Sequence, residues 1–227
     1  ASTGGEQILV GPIDGGVGSN IEVLKPGVPV NSFLVYKQKY ANGKPVYQDT
    51  NGDKNIDEQD LYVDINKDGI VNQDDRRPFH SPAPKWILGA SSQMGFRSFD
   101  ASFTLRAYLG NYVYNNIASN LGHYSVLKGA APSNLDASVL KTGFVNPQYF
   151  SDYYVEDASF LRLDNITVGY RLPNFRSLKQ LRIYGTVQNV FTLTGYSGID
   201  PTAGINGIDR NIFPLSRTFT TGFTVGF

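Results

Sequence analysis

The chain has 227 residues, with 20 basic and 20 acidic side chains, 14 phenylalanines, 14 tyrosines and no cysteine. The absence of cysteine excludes a disulfide framework and a thiolate metal site, and the thinly spread positive charge does not favour a nucleic-acid partner. No apolar run approaches the ~18 residues of a membrane-spanning helix, so any crossing of a bilayer would have to be made by strands.

The first 30 residues contain many glycines, with Gly15, Gly16 and Gly18 close together. Glycine clusters of this kind are typical of turns. We therefore predict that residues 1–30 form an irregular lead-in that includes a turn, and that residues 31–227 form the folded part. The first strand of that part is expected near residues 32–40.

An acidic insertion follows at residues 48–84. Between positions 49 and 75 there are nine acidic residues and two lysines, a net charge of −7, so the remaining 200 residues carry 18 basic and 11 acidic groups, or +7. Two twelve-residue segments, starting 15 residues apart, place oxygen-bearing side chains at the spacing of a calcium loop. The predicted calcium ligands are Asp49, Asn51, Asp53, Asn55, Asp57 and Asp60 in the first loop and Asp64, Asn66, Asp68, Ile70 (through its carbonyl), Asn72 and Asp75 in the second.

The two loops differ at position 6, where a calcium loop needs a positive φ. The second loop has Gly69 there, whereas the first has Lys54, which costs on the order of 1 kcal/mol in the left-handed region. The short spacing leaves no room for the helix pairs of EF-hands, and a proline-rich segment follows. We interpret the insertion as a calcium-stiffened loop; the alternative is an acidic, solvated surface loop.

Alternating strands follow the insertion, at residues 86–96, 99–110, 160–172, 180–193 and 217–227. In 99–109, for example, all odd positions are apolar and all even positions carry a polar group, which places the two sets on opposite faces. In 160–172 the alternation changes phase, because Leu161 and Leu163 are out of step with Ile166 and Val168; a β-bulge, or a strand end that lies above the lipid, would explain this. The last strand ends on the aromatic Phe227.

The strands are longer than the usual 5–6 residues and match the ~9–11 residues that cross a bilayer at a tilt. Short connections alternate with long ones, as in outer-membrane barrels with short periplasmic turns and long external loops. We therefore predict an all-β fold, an antiparallel transmembrane β-barrel with lipid on its apolar face. Residues 48–84, 111–158 (with a short helix around 112–121) and 194–216 are predicted to be extracellular. A large soluble β-sandwich is the alternative.

The predicted loop at residues 111–158 is rich in tyrosine and asparagine. Aromatic faces beside amide groups suit the binding of sugar rings or peptide backbones. The candidate substrate-binding residues are Tyr112, Tyr114, Asn115, Tyr124, Tyr149 and Tyr153. The alternative is that these side chains pack the loop against itself, against its neighbours or against a partner.

No enzyme is predicted. His80 and His123 have no convincing nucleophile or carboxylate partner in the sequence, and Ser125 near His123 is interpreted as incidental loop chemistry.

Several segments together carry a resemblance to a known family. They are residues 153–170 (YYVEDASFLRLDNITVGY), 187–201 (VQNVFTLTGYSGIDP) and the tail from Arg217, with 62–69 (YVDINKDG) and 110–115 (GNYVYN) upstream. The sequence resembles the SusC/RagA family of TonB-dependent outer-membrane transporters from about residue 20 onward. It departs from the family pattern at Lys54 and in the rather basic segment 171–182.

The resemblance implies a plugged barrel of 22 strands, of which this chain would supply about the last six. It implies import of oligosaccharides or peptides across the outer membrane of a Gram-negative bacterium, with a SusD-like lipoprotein as lid. The N-terminal part of the barrel and its plug, through which TonB would act, are expected as partners. A soluble calcium-dependent, dockerin-like binding module on a β-sandwich is the alternative function.

Overall fold

The computed structural model describes residues 6–13, 19–128, 133–173, 179–204, 206–210 and 213–226. The chain divides into two compact units. We call residues 1–83, 111–157 and 196–212 the loop unit, and residues 84–110, 158–195 and 213–227 the sheet unit. The predicted long connections therefore lie almost wholly in the loop unit.

The strands, in chain order, are β1 (Ile8–Pro12), β2 (Asn20–Leu24), β3 (Ser32–Val35), β4 (Tyr40–Ala41), β5 (Lys44–Pro45), β6 (Arg77–Phe79), β7 (Trp86–Phe96), β8 (Phe99–Leu109), β9 (Tyr112–Tyr114), β10 (Val155–Asp157), β11 (Phe160–Pro173), β12 (Gln180–Thr194) and β13 (Thr218–Gly226). The α-helices are short: α1 (Glu58–Leu61), α2 (Asn116–Leu121) and α3 (Val139–Thr142), with 3₁₀ turns at Gln73–Asp75, Tyr124–Lys128 and Asp152–Tyr154.

The sheet unit is one antiparallel five-stranded sheet in the order β13-β12-β11-β8-β7. All five strands predicted by alternation after the insertion are present, with bounds within one or two residues of those expected. The turn at Arg97 joins β7 to β8 with a φ of 54°. The predicted connection at 174–178 and the terminal Phe227 lie outside the described residues.

A bulge in β11 explains the change of phase in its sequence. The register of β11 against both neighbours shifts between Leu163 and Asn165. On one side of the shift Leu163 is opposite Leu105, and on the other side Ile166 is opposite Phe103. The extra residue, Asp164, thus returns both halves of the strand to the same apolar face, so the bulge is the one of the two explanations that the structure supports.

One face of this sheet is apolar and open. Cross-strand pairing aligns Phe99, Tyr170, Ile183 and Phe223 in one row. Phe223 is 74% exposed and Ile183 is 51% exposed, so the described residues supply no second layer that encloses them. A soluble sandwich would cover such a face, and the structure therefore favours the barrel interpretation over the sandwich.

The other face carries polar and charged side chains. Asp100 accepts hydrogen bonds from Arg182, the shortest at 2.6 Å, and Arg171 lies 3.5 Å away. Arg106 pairs with the bulge residue Asp164 at 3.1 Å. Apolar and polar residues thus occupy separate faces, as strand alternation requires.

The loop unit contains a second antiparallel sheet in the order β1-β2-β3-β6. This corrects two predictions. Residues 8–12 and 20–24 are strands rather than an irregular lead-in, and the strand expected at 32–40 is limited to Ser32–Val35 and pairs with β2 and β6 instead of joining the barrel strands. The short strands have almost every residue buried, so they lack the alternation that identified the longer ones. The predicted glycine turn at Gly15, Gly16 and Gly18 lies outside the described residues.

The loop unit has a core of its own, built from residues far apart in sequence. Tyr36 stacks on Tyr62 with ring centroids 4.6 Å apart. The buried Gln38 donates to the carbonyl oxygens of Val46 and Leu61, and its side-chain oxygen accepts a hydrogen bond from Ser151. The fully buried members of this core include Ile21, Phe33, Val35, Tyr114, Phe144 and Tyr154.

In the portion of the chain that the structure describes, no helix has the length and apolar character needed to cross a membrane.

Candidate functional site

The two acidic loops make the same hydrogen bonds at positions 15 residues apart. At position 1, Asp49 accepts the backbone N–H of Gly52 at 2.6 Å and of Lys54 at 2.8 Å. The chain therefore wraps around the carboxylate of the first residue in each loop. The equivalent contacts in the second loop are Lys67 to Asp64 at 2.6 Å and Gly69 to Asp64 at 2.8 Å.

Positions 3 and 5 continue this repeated pattern. The Asn51 side-chain oxygen accepts from Asp53 N–H at 2.8 Å, and Asp53 accepts from Asn55 N–H at 2.7 Å. Their counterparts in the second loop accept at 2.9 and 2.8 Å. Each short side chain thus turns the backbone locally, and the amide and carboxylate groups are held on the inside of a tight curve. The residues of the second loop in these contacts are Asn66, Asp68 and Ile70.

The last position of each loop closes it. Asp60 is buried and accepts the N–H groups of Thr50, Asn51 and Asp57. Burial alone would raise the pKa of Asp60, but these hydrogen bonds together outweigh it and hold the pKa below its ordinary value. The pKa of Asp75 is also lowered, first by the bond from Asn72 N–H, against an opposing effect of burial.

The prediction of positive φ at position 6 is confirmed in both loops, with Lys54 at 72° and Gly69 at 89°. Position 4 is also left-handed, with Gly52 at 86° and Lys67 at 64°. Each loop therefore has one glycine and one lysine at these two positions, in opposite order. The strain of a non-glycine residue is shared between the loops instead of falling on the first alone.

The donor set fits a hard cation only with help from neutral oxygens. Within the described ranges, no group of three or more His, Cys, Asp and Glu side chains lies close enough to hold a metal ion. A calcium ion would therefore need the amide oxygens and backbone carbonyls that calcium accepts. Calcium binding by these loops stays a prediction. The elements in which the loops end, the four-residue α1 and a 3₁₀ turn, do not form a helix pair like that of an EF-hand or dockerin.

The predicted substrate-binding residues do not converge on one place. Tyr114 is fully buried, and its hydroxyl lies 2.9 Å from the Ser119 hydroxyl. Asn115 is 3% exposed, caps α2 through Ala118 N–H and donates to Glu156 at 2.9 Å. We therefore correct the predictions for Tyr114 and Asn115 and assign these two residues packing and positioning roles.

The other four predicted residues are accessible in part. Tyr112 stacks on His80, with ring centroids 3.7 Å apart. Tyr124 is 42% exposed on a 3₁₀ turn. Tyr149 and Tyr153 line two different cavities of the loop unit. Substrate contact remains a prediction for these four residues, of which Tyr149 and Tyr153 lie in concave surfaces.

The first cavity has a volume of about 270 Å³ and lies where the ends of both acidic loops approach the segment around residue 149. Arg76, 8% exposed, donates to Leu34 O at 2.7 Å and has its guanidinium carbon 4.1 Å from the centre of the Phe150 ring. Its charge is therefore already engaged in holding the wall together. The side chains that define this first cavity are Tyr36, Glu58, Tyr62, Arg76, Tyr149 and Phe150.

The second cavity has a volume of about 420 Å³ and brings together four separate segments. Two carboxylates in its wall come from residues 20 positions apart, which the sequence pattern did not identify. Glu156 is placed by the pairing of β10 with β9, and Asp136 by the hydrogen bond from its N–H to the Leu121 carbonyl; periodicity reports neither contact. The side chains that define this second cavity are Asp136, Ser138, Lys141, Tyr153, Tyr154 and Glu156.

A Ser–His pair is present but lacks the other parts of a hydrolase site. His123 Nδ1 lies 2.7 Å from the Ser125 hydroxyl, and its Nε2 lies 3.0 Å from the Asn120 carbonyl. Burial lowers the pKa of His123. A backbone carbonyl occupies the place where a triad would have a carboxylate, and the interpretation of Ser125 as loop chemistry is retained.

Comparisons with known proteins agree on one kind of protein. The chain is 36% identical over 225 residues to TonB-dependent receptor SusC of Bacteroides thetaiotaomicron, covering 95% of the chain and 21% of that receptor. It is 27% identical over 230 residues to TonB-dependent receptor P3 of Formosa agariphila, covering 91% of the chain and 23% of that receptor. The chain therefore spans less than a quarter of the length of these relatives.

The fold is similar to that of a chain in the RagAB peptide importer in its open-open state. The TM-score is 0.72 at 22% identity, over 100% of this chain and 25% of that one. No family model matches the sequence.

Proposed function

Because this chain belongs to the SusC/RagA family of TonB-dependent receptors, we propose that it forms part of an outer-membrane importer of nutrients. One observation carries the proposal beyond family membership. The five-stranded sheet has an apolar face on which Phe223 is 74% exposed, and an opposite face with ion pairs such as Arg182–Asp100. A strand in a membrane barrel needs both surfaces, lipid outside and a polar interior.

The sheet also implies its partners. A five-stranded sheet with β7 and β13 at its ends has two edges, and unpaired edges do not occur in the hydrocarbon region of a membrane. We propose that the remaining strands of the receptor pair with these edges and close the barrel around a plug. TonB would act through that plug, and a SusD-like lipoprotein would cover the extracellular side. The proposed substrate is an oligosaccharide or a peptide.

The two acidic loops are assigned a supporting role in this proposal. We propose that each binds a calcium ion that stiffens the extracellular part of the receptor. The repeated contacts of Asp49 and Asp64 with backbone N–H groups support this assignment, because the same turns gather oxygen atoms on the inside of the loop.

The test of the importer uses the whole receptor that contains this chain. We expect it to be released from envelopes only by detergent and to change its gel mobility on heating, as closed membrane barrels do. Cells lacking it should lose uptake of one class of oligomer and regain it with the wild-type gene. Release of the receptor in plain buffer, or unchanged uptake of all oligomers tested, would contradict the proposal.

A further inference from the structure

The second cavity carries two carboxylates without a cationic partner. Among the residues that the structure describes, neither Asp136 nor Glu156 has a basic side chain within ion-pair distance. Lys141 also lines the cavity and is exposed, but it forms no ion pair with either carboxylate. The cavity therefore has a formal charge of −1, with its two negative groups free to interact with a ligand.

Both carboxylates are held in place and still have acceptor capacity. Glu156 accepts from Asn115 and from the Ser197 hydroxyl at Oε1, and from Ser197 N–H at Oε2. Among the described residues, the Asp136 carboxylate accepts a hydrogen bond from Ser138 N–H, at Oδ1, and from no other donor. A carboxylate has about four acceptor sites, so one site on Oε2 of Glu156 and most of those on Asp136 remain for donors on a ligand.

The wall between the two carboxylates adds aromatic rings and a hydroxyl. Tyr153 and Tyr154 meet edge to face, with centroids 5.1 Å apart. Ser138 also lines the cavity, and its hydroxyl oxygen is buried without a hydrogen-bond partner in the described part of the chain.

The electrostatic environment of the tyrosines is negative. Burial is the main cause that raises the pKa of Tyr153, and the charges of Glu156 and Asp136 raise it further. Burial is again the first cause for Tyr154, with Asp136 contributing. A negative potential beside aromatic faces attracts organic cations and disfavours anions.

From this geometry we propose that the second cavity binds the primary ammonium group of an oligomeric substrate. The ammonium has three donors and no acceptor, which matches the free acceptor sites on Asp136 and Glu156, and an aromatic wall lies beside it. Such a group occurs at the N-terminus of a peptide and on a non-acetylated amino sugar. The inference rests on the proposed importer function and specifies its substrate class.

The test measures binding to the purified whole receptor by calorimetry. The probes are trialanine and a glucosamine disaccharide, each beside its N-acetylated form. We expect the free amine of at least one pair to bind, and acetylation to weaken it by about ten- to a hundredfold, the range for loss of a charge-assisted hydrogen bond. The pair in which acetylation weakens binding shows whether the ammonium belongs to a peptide or to an amino sugar. Equal binding of the free and acetylated forms, or no binding of either amine, would overturn the proposal.

Variants separate a direct charge effect from a structural one. Asp136→Asn and Glu156→Gln should each weaken amine binding by about tenfold or more, whereas Lys141→Ala should strengthen it because a competing positive charge is removed. Glu6→Gln, at an exposed site outside the cavity, is the matched control and should change nothing. Unchanged binding in Asp136→Asn, or weaker amine binding in Lys141→Ala, would contradict the inference.

The outcome is separable from that of the importer proposal. A receptor that assembles as a barrel and imports oligomers, but does not distinguish free from acetylated amines, refutes the ammonium site alone. A receptor that neither assembles in the membrane nor supports uptake refutes the importer function itself.

Discussion

Gly169 is the residue on which the charged cluster of the sheet unit depends. A Cβ atom at this position would lie 2.6 Å from Arg182 Nη2 and 2.7 Å from Asp100 Oδ2. The ion pair between these two side chains, 2.6 Å long, thus occupies the space that a larger residue would need. Glycine is required here for close approach and not for its backbone angles.

We therefore expect Gly169→Ala to displace the Arg182–Asp100 pair and to lower the thermal midpoint of the receptor. Gly185→Ala is the matched control, since a Cβ at Gly185 meets nothing within 4 Å. The measurement is the temperature at which the folded band of the whole receptor is lost in a gel-shift assay. Equal midpoints for the two variants would show that the cluster tolerates a methyl group.

The loop unit contains a buried carboxyl group whose ionisation makes the stability of the fold depend on pH. Glu22 is 0% exposed, and neither of its oxygens has a hydrogen-bond partner among the described residues. Burial raises its pKa to about 7, against a smaller opposing effect of Arg210. Because the folded-state pKa lies above the unfolded value, ionisation of Glu22 destabilises the fold progressively as pH rises from about 4.5 to about 7; the penalty is absent below this window and constant above it.

We expect Glu22→Gln to remove this pH dependence. The wild type should become less stable between pH 4.5 and 7, by up to about 3 kcal/mol, whereas the variant should remain flat over the same window. Hydrogen exchange of the β2 amides in the whole receptor measures the effect, with the exposed Glu6→Gln as control. Parallel curves for wild type and Glu22→Gln would show that this carboxyl is not the source.

At the scale of elements, the sequence predicted the structure best where an alternation or a residue spacing extended over ten or more residues. The alternation in β8 and the bulge at Asp164 could both be predicted, because one apolar face forces a fixed register. The twelve-residue spacing likewise predicted the left-handed Lys54. The five-residue β1 and β2 were missed because such short strands show no clear alternation, and the burial of Tyr114 depends on partners as distant as Gly207, whose carbonyl accepts its N–H.

The acidic loops give a prediction of their own. Calcium should bind to the whole receptor, and Asp64→Ala and Asp68→Ala should weaken binding at the second loop by removing oxygens at positions 1 and 5. Calorimetry measures the affinity for calcium, and the rate of proteolysis with and without chelator measures how well ordered the loops are. Asp74→Ala is the control, because Asp74 is exposed and occupies position 11, which supplies no predicted ligand. No heat of binding, together with chelator-independent proteolysis, would reject the cation.

At the scale of the whole molecule, the two units differ in how they treat their apolar side chains. The loop unit encloses its apolar side chains, with Phe33, Tyr114 and Phe144 each 0% exposed. The sheet unit leaves Phe219 and Phe223 more than 70% exposed. Long-range contacts such as Gln38 N–H to Asp152, 114 positions apart, build the first unit, which explains why its core could not be read from local pattern. The second unit could be predicted because its contacts follow from alternation between successive strands.

The last prediction concerns the exposed apolar face of the five-stranded sheet. Phe223→Arg would place a charge on the face assigned to lipid, at a cost that is about 2–4 kcal/mol at the bilayer midplane and smaller toward the interfaces. Thr220→Arg, on the opposite face of the same strand, should be tolerated because that face is polar. We expect the first variant to reduce the amount of heat-modifiable receptor in outer membranes and the second to leave it near the wild-type level. If both variants assembled equally well, lipid would not cover the face that carries Phe223, and the assignment of this sheet to a membrane barrel would fail with it.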